Sequence, residues 1–220
     1  MFRKIKQYLS FFRQIKIFDF FYYNYFSKQV IRLDKSKIIP YKGTIIDLAP
    51  DCKIYLQKGD LELGSSRLKK SKSETLFRMR GNAIWSNVGG CNISYGSTLE
   101  ILNNAIFDTS FFTMNSNGVV IVAKRIVLGN DVMLGRNVIL YDSDFHQIKD
   151  DGGIIKNLAK EVIIKDHVWL TSNVTILKNS YIGENSIIST GSIVSGYVRD
   201  NCIYNGVLKK EKLNYGTWVR

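Results

Sequence analysis

The feature that most constrains this chain is a six-residue rhythm. From residue 164 onward an aliphatic residue stands at every sixth position, as Ile164, Leu170, Ile176, Ile182, Ile188 and Val194. Four residues after each comes a second small or β-branched residue: Val168, Val174, Ser180, Ser186, Ser192 and Val198. The same double column runs earlier through Val122, Leu128, Leu134 and Leu140, accompanied by Ile126, Val132 and Val138. Self-similarity at a fixed period is the signature of a stacked repeat. Six residues suffice for one short strand and one corner, and three such units close a triangular coil that stacks on the next at about 4.8 Å. The aliphatic column then fills the interior, and the second column is small because it points inward near a corner. Corner chemistry agrees. The third position after each aliphatic reads Asp131, Asn137, His167, Asn173, Asn179, Asn185 and Gly191, the residue types that best tolerate a left-handed backbone. The repeat predicts an all-β parallel β-helix solenoid.

A third column is unusual for a lone rod. The outward position before each aliphatic carries Val127, Met133, Ile139, Ile163, Trp169, Thr175, Tyr181, Ile187 and Ile193. Continuous exposed apolar surface marks an interface, so the coils are expected to pack side by side in a homo-oligomer, most simply a three-fold one. Before residue 122 the period weakens. Residues 43–100 hold strand-like runs (Lys53–Leu56, Asp60–Leu63, Thr75–Met79, Ala83–Trp85, Asn92–Tyr95) but no clean hexads. They read as irregular coils of the same solenoid, with a separate small β domain as the alternative.

Residues 1–42 form a segment of their own. They hold ten Lys or Arg against two Asp, and so contribute +8 of the net +12. Phe2, Ile5, Leu9 and Phe12 fall at helical spacing, and Phe18–Phe26 is almost continuously aromatic or apolar. Such a segment serves either as the helical cap that a stacked repeat requires at its open end or as an anchor on an anionic membrane surface, and one segment can do both. Nucleic acid is not the expected partner, because the basic charge sits at one end without a nucleic-acid-binding motif. No run approaches the ~20 apolar residues of a bilayer span. Basic residues interrupt the first apolar runs, unlike a signal peptide. Cys52, Cys91 and Cys202 form no CxxC pair, which argues against a disulfide framework or a zinc site. The cytoplasm is the simplest compartment, with peripheral contact at the inner face of the cell membrane if the segment is an anchor.

Chemistry is expected where the repeat breaks. Between Leu140 and Ile164 the chain leaves the rhythm for the polar, glycine-containing loop 141–161, and loops that depart from a rigid scaffold concentrate function. The loop carries His146, one of two histidines, close to Asp142 and Asp144. An imidazole with a carboxylate neighbour is the usual general-base unit near neutral pH. His167 occupies a corner position filled elsewhere by Asn, so backbone conformation accounts for it. Trp169 is either an interface residue or the wall of a pocket.

The string Asp142-Ser-Asp-Phe-His146, followed by the hexads from Ile163 to Val194, resembles the hexapeptide-repeat acyltransferases. The similarity is clearest over residues 100–218 and nearest to the O-acetyltransferases of capsular and other surface polysaccharides. The resemblance implies a left-handed coil over residues 43–218 and a homotrimer, with acetyl-CoA in the groove between adjacent solenoids and a saccharide as acceptor. It implies direct transfer without a metal, with His146 as general base, Asp142 or Asp144 orienting the ring, and a backbone N–H stabilising the tetrahedral oxyanion. Carried over by motif, Trp169, Ser172, Lys178 and Gly191 belong to the CoA groove. The family's Gly-x-Pro-Ala-Lys turn near the adenine is replaced here by Gly206-Val-Leu-Lys-Lys210, which leaves Lys209, Lys210 and Lys212 to meet the CoA phosphates.

Three rivals compete with this reading. A carbonic anhydrase on the same scaffold needs three histidines per zinc, and the chain has two. An amine acceptor, as in sugar or antibiotic N-acetyltransferases, remains open because loops shape the acceptor pocket. A non-enzymatic solenoid serving in binding is the third, although such a rod needs no histidine-bearing loop in its middle.

Overall fold

The computed structural model describes residues 12–150, 152–206 and 210–213. Among these, twenty-four strands, numbered β1 (Val30–Arg32) to β24 (Lys210–Leu213), form three sheets of eight, nine and seven strands. Every third strand joins the same sheet, so the chain runs round the three sheets in turn. Neighbouring strands pair in parallel, as Ile163↔Tyr181, Trp169↔Ile187 and Thr175↔Ile193 do in the three sheets. The exception is β24, which folds back antiparallel on β23 (Cys202–Asn205). The seven-stranded sheet marks seven complete coils of a left-handed parallel β-helix.

The two inward columns behave as the repeat requires. Ile164, Leu170, Ile176, Ile182, Ile188 and Val194 are at most 1% exposed, and burying each such side chain stabilises the rod by about 1.5–3 kcal/mol. Ser180, Ser186 and Ser192 are buried beside them. A buried hydroxyl is costly unless bonded. Ser180 donates to the Leu177 carbonyl at 2.7 Å and Ser186 to the Arg199 carbonyl at 2.8 Å. At the corners Asp131, Asn137, His167, Asn173, Asn179 and Asn185 all have φ between 53° and 65°.

Residues 43–100 belong to the same rod and not to a separate domain. The runs Lys53–Leu56 and Thr75–Met79 are β4 and β6 as expected, and each joins its sheet in parallel register. These wider coils are filled by rings. Phe77, Trp85, Phe107 and Phe112 form a buried series with centroids 5.3, 5.5 and 6.0 Å apart. The Trp85 indole N–H donates to Thr109 Oγ1 at 2.9 Å, which removes the penalty of burying it.

The solenoid also begins earlier than residue 43. Strand β1 pairs with β4, and β2 (Ile38–Pro40) pairs with β5 (Leu61–Ser65), so the first coil starts at Val30. What precedes it lies across that coil. Helix α1 (Ile17–Phe21) continues as a π-helical turn, Tyr22–Phe26. The Asn24 amide donates to the Ile38 carbonyl and accepts from the Ile38 N–H, at 2.7 and 2.9 Å. Lys16 N–H donates to the Pro40 carbonyl at 2.8 Å, and Ile15 is 1% exposed. The expected helical residues Phe2, Ile5 and Leu9 lie outside the described residues.

Candidate active site

The histidine-bearing loop leaves β15 (Ile139–Tyr141) of the third sheet and returns at β16 (Val162–Ile164) of the first. It therefore springs from the corner where those two sheets meet.

Asp142, the first residue after the strand, is fully buried. Its Oδ1 accepts the Ala123 N–H and its Oδ2 accepts those of Lys124 and Arg125, each at 2.7 Å. Burial pushes this carboxyl above its ordinary range, and the three backbone donors pull against that rise. Asp142 thus closes the turn of the preceding coil, because a carboxylate buried at a corner is spent on the donors found there, and among the described residues it makes no bond to the imidazole.

Asp144 faces elsewhere too. Its Oδ2 accepts Lys178 Nζ at 2.5 Å and the Asn157 amide at 2.9 Å. These two donors, Lys178 first, hold its carboxyl below the usual carboxylate range, so the pairing is lost only in acid. Asn157 also donates to the His146 carbonyl at 2.7 Å and accepts the Ile148 N–H at 2.7 Å. Lys178 reaches the Asn157 carbonyl at 3.1 Å. Lys178, expected in the CoA groove, thus clasps the loop to the coil that follows it. Asn157 was not singled out by sequence, and a lone loop asparagine gives no signal that could have found it.

These contacts present His146. The His146 N–H donates to the Asp144 carbonyl at 2.8 Å, across Phe145 at φ 62°. A bulky residue in that region costs about 1–3 kcal/mol and persists only where its surroundings over-determine it. Here Ser143 Oγ accepts the Phe145 N–H at 2.9 Å, and the Tyr141 ring meets the Phe145 ring edge-on at 5.1 Å. The His146 side chain is exposed. Among the described residues no side chain bonds to its ring.

Trp169, Ser172 and Gly191 gather at a different corner, between the second and third sheets. Trp169 projects outward from β17 (Trp169–Leu170), in register with Met133 and Ile187. The Gly191 N–H donates to the Ser172 carbonyl at 3.2 Å. Gly191 has φ 75° with open space where a Cβ would lie, so the turn itself calls for glycine. Lys209 lies outside the described residues, and Lys210 enters as the first backbone position of β24. His167 sits at the third corner with φ 55°, its Nδ1 2.8 Å from Asp131 Oδ2.

The outward apolar column is present on all three sheets. Ile193 and Tyr197 are 60% and 64% exposed, and Tyr197 stacks on Tyr181 at 5.3 Å. Beside the loop's return, Asp108, Val127, Ile163 and Lys165 line a hollow of about 320 Å³ on the first sheet.

Comparison with known proteins gives three findings of weight. The galactoside O-acetyltransferase of Lactococcus lactis is 31% identical over 136 residues, 60% of this chain and 58% of its own length. The chain therefore spans less than two thirds of that relative. A putative acetyltransferase of Schizosaccharomyces pombe is 30% identical over 153 residues, covering 67% of this chain and 70% of the relative. The crystal structure of the polySia-specific acetyltransferase NeuO superposes with a TM-score of 0.51 at 23% identity, covering 87% of this chain and 83% of the other, a likeness of fold. No family model matches the chain.

Proposed function

Because the chain belongs to the hexapeptide-repeat acetyltransferases, we propose that it moves an acetyl group from acetyl-CoA to a hydroxyl of a saccharide, with His146 as general base. The observation that carries this reading is the loop itself: a histidine held on a strained, multiply bonded turn yet open to solvent. Relatives named for galactoside and polySia substrates support a saccharide acceptor.

His146 takes the proton of the acceptor hydroxyl as its oxygen attacks the thioester carbonyl. The C–S bond then breaks, and the imidazolium returns the proton to the leaving sulfur. Neither loop carboxylate orients the ring within one chain, so the main-chain turn at Phe145 and the Asn157 amide set its position. Trp169, Ser172 and the Gly191 turn fit a donor groove by chemistry: an indole face, a hydroxyl and an unhindered backbone. They occupy a different corner of the rod from His146. Two edges of a triangular rod meet in one groove when rods stand side by side, and the apolar outward columns supply the faces for that packing. The site we propose is accordingly formed between subunits of a homotrimer. Sedimentation equilibrium is expected to return three times the 25.2 kDa chain mass, and a monomer at micromolar concentration would overturn this assembly.

The direct test is mass spectrometry of candidate oligosaccharides incubated with the protein and acetyl-CoA. The expected product is one acetyl group heavier and loses that group in mild base, as an ester does. A base-stable product would place the acetyl on an amine, and no product with any saccharide would favour a binding role.

A further inference from the structure

The helical segment over the first coil has two faces. One is spent on the solenoid, where Asn24 occupies the edge of β2 and the Tyr23 hydroxyl donates to the Ile46 carbonyl at 3.3 Å. The other carries Phe18, Phe21, Tyr22, Tyr25 and Phe26, which are 87, 48, 50, 60 and 73% exposed. Their spacing of three and four residues aligns them as a stripe, and an apolar stripe of this kind ordinarily faces a core. Here it faces out from the tip of the rod. Phe21 and Tyr25 stack on one another at 6.0 Å, and the Lys37 ammonium lies 4.7 Å from the Tyr25 ring centroid.

Beside the stripe is a cationic hollow. Arg13, Lys42, Arg67 and Lys69 line a cavity of about 290 Å³. The Arg67 guanidinium is braced by the Lys42 and Ser71 carbonyls at 3.4 and 2.5 Å. Lys42 also borders an apolar groove of about 250 Å³ that includes Ile15, Ile17 and Phe18. A basic hollow, an apolar groove and an aromatic stripe thus run together across one end of the molecule. Residues 12–42 hold seven Lys or Arg against two Asp, and Arg67, Lys69, Lys70 and Lys72 add four cations on a neighbouring loop.

We propose that this end docks on an anionic lipid surface, with the aromatic stripe entering the headgroup region and the Arg13–Lys42–Arg67–Lys69 hollow taking a lipid phosphate. Aromatic rings favour that interface, and clustered Lys and Arg are drawn to anionic leaflets. Paired insertion and charge give stable attachment where either alone is marginal. Charge decides against a second copy of this chain as occupant, because two such tips face to face would bring their cations together. The inference stands apart from the catalytic reading and survives its failure.

The test is flotation of the full chain with vesicles of phosphatidylcholine, with and without phosphatidylglycerol. The chain is expected to float with the anionic vesicles, to remain behind with the neutral ones, and to be released as salt screens the charges. Phe18→Ser with Phe26→Ser is expected to lower the bound fraction about tenfold or more. Arg13→Glu with Lys69→Glu should abolish the anionic preference. Circular dichroism melts matching the unaltered chain show that the variants fold. A chain that floats with neither vesicle overturns the proposal. So does an aromatic variant that keeps its binding, or one that sediments as a smaller oligomer, which would assign the stripe to contacts between copies.

Discussion

His146→Ala is expected to lower the rate of acetyl transfer by about 10²- to 10⁴-fold, the range that a positioned general base supplies. The melting temperature and the affinity for CoA should be unchanged, because the side chain is exposed and the loop is held by main-chain and Asn157 contacts rather than by the ring. The loss should fall on kcat more than on KM, since proton removal is felt in the transition state and little in the ground state. Single-turnover measurement with saturating acetyl-CoA reads the chemical step directly. A variant that retains the full rate would remove His146 from the chemistry and return the acceptor-activating role to some other group. A variant that melts early would show that the ring is structural.

Asp142→Ala should do the reverse. It leaves the N–H groups of Ala123, Lys124 and Arg125 facing a buried space where a carboxylate had accepted all three at 2.7 Å. Each orphaned donor costs about 1–3 kcal/mol, so the three together cost about 3–9 kcal/mol. At about 2–4 °C per kcal/mol for a chain of this size, the melting temperature is expected to fall by roughly 6 °C or more. Asp142→Asn should not rescue it fully, because an amide offers one oxygen and turns an NH₂ toward donors. Activity measured well below the new melting temperature should fall far less than in His146→Ala. Heavy loss of activity with an unchanged melting temperature would put Asp142 back beside the imidazole.

The contrast between these two residues shows what the sequence carries and what it does not. The loop was legible as a break in the hexads, and His146 as its one imidazole. Which carboxylate does what was not legible, because the deciding partners are remote along the chain. Asp142 meets residues 17 to 19 positions upstream and Asp144 meets Lys178, 34 positions downstream. Local proximity to the histidine favoured both acids equally and described neither.

The same limit shaped the reading of the rod. From Ile164 to Ile182, one coil occupies 18 residues, three full hexads, and the period is plain. From Ile54 to Trp85 one coil takes 31 residues, and from Trp85 to Phe107 it takes 22. Insertions at the corners erase the global period there while each strand keeps its own alternation, so β4 and β6 are legible as strands of irregular coils, but the lengths of those coils are not. The first coil fared worst. Strands β1 and β2 are three residues long, too short to show a period, and they lie inside a basic segment that reads as a separate unit.

A stack of parallel strands is, by its geometry, a template for its own extension, since each terminal coil offers a fresh row of amides to whatever strand arrives next. This molecule ends that process differently at its two ends. At the first coil the Asn24 side chain meets both the donor and the acceptor of Ile38, a peptide-like group that has, among the described residues, no strand behind it to continue the ladder. At the far end β24 reverses direction on β23, so an incoming parallel coil finds the wrong polarity. On this second sheet, what could have been the seed of a filament is in this way closed at both described ends.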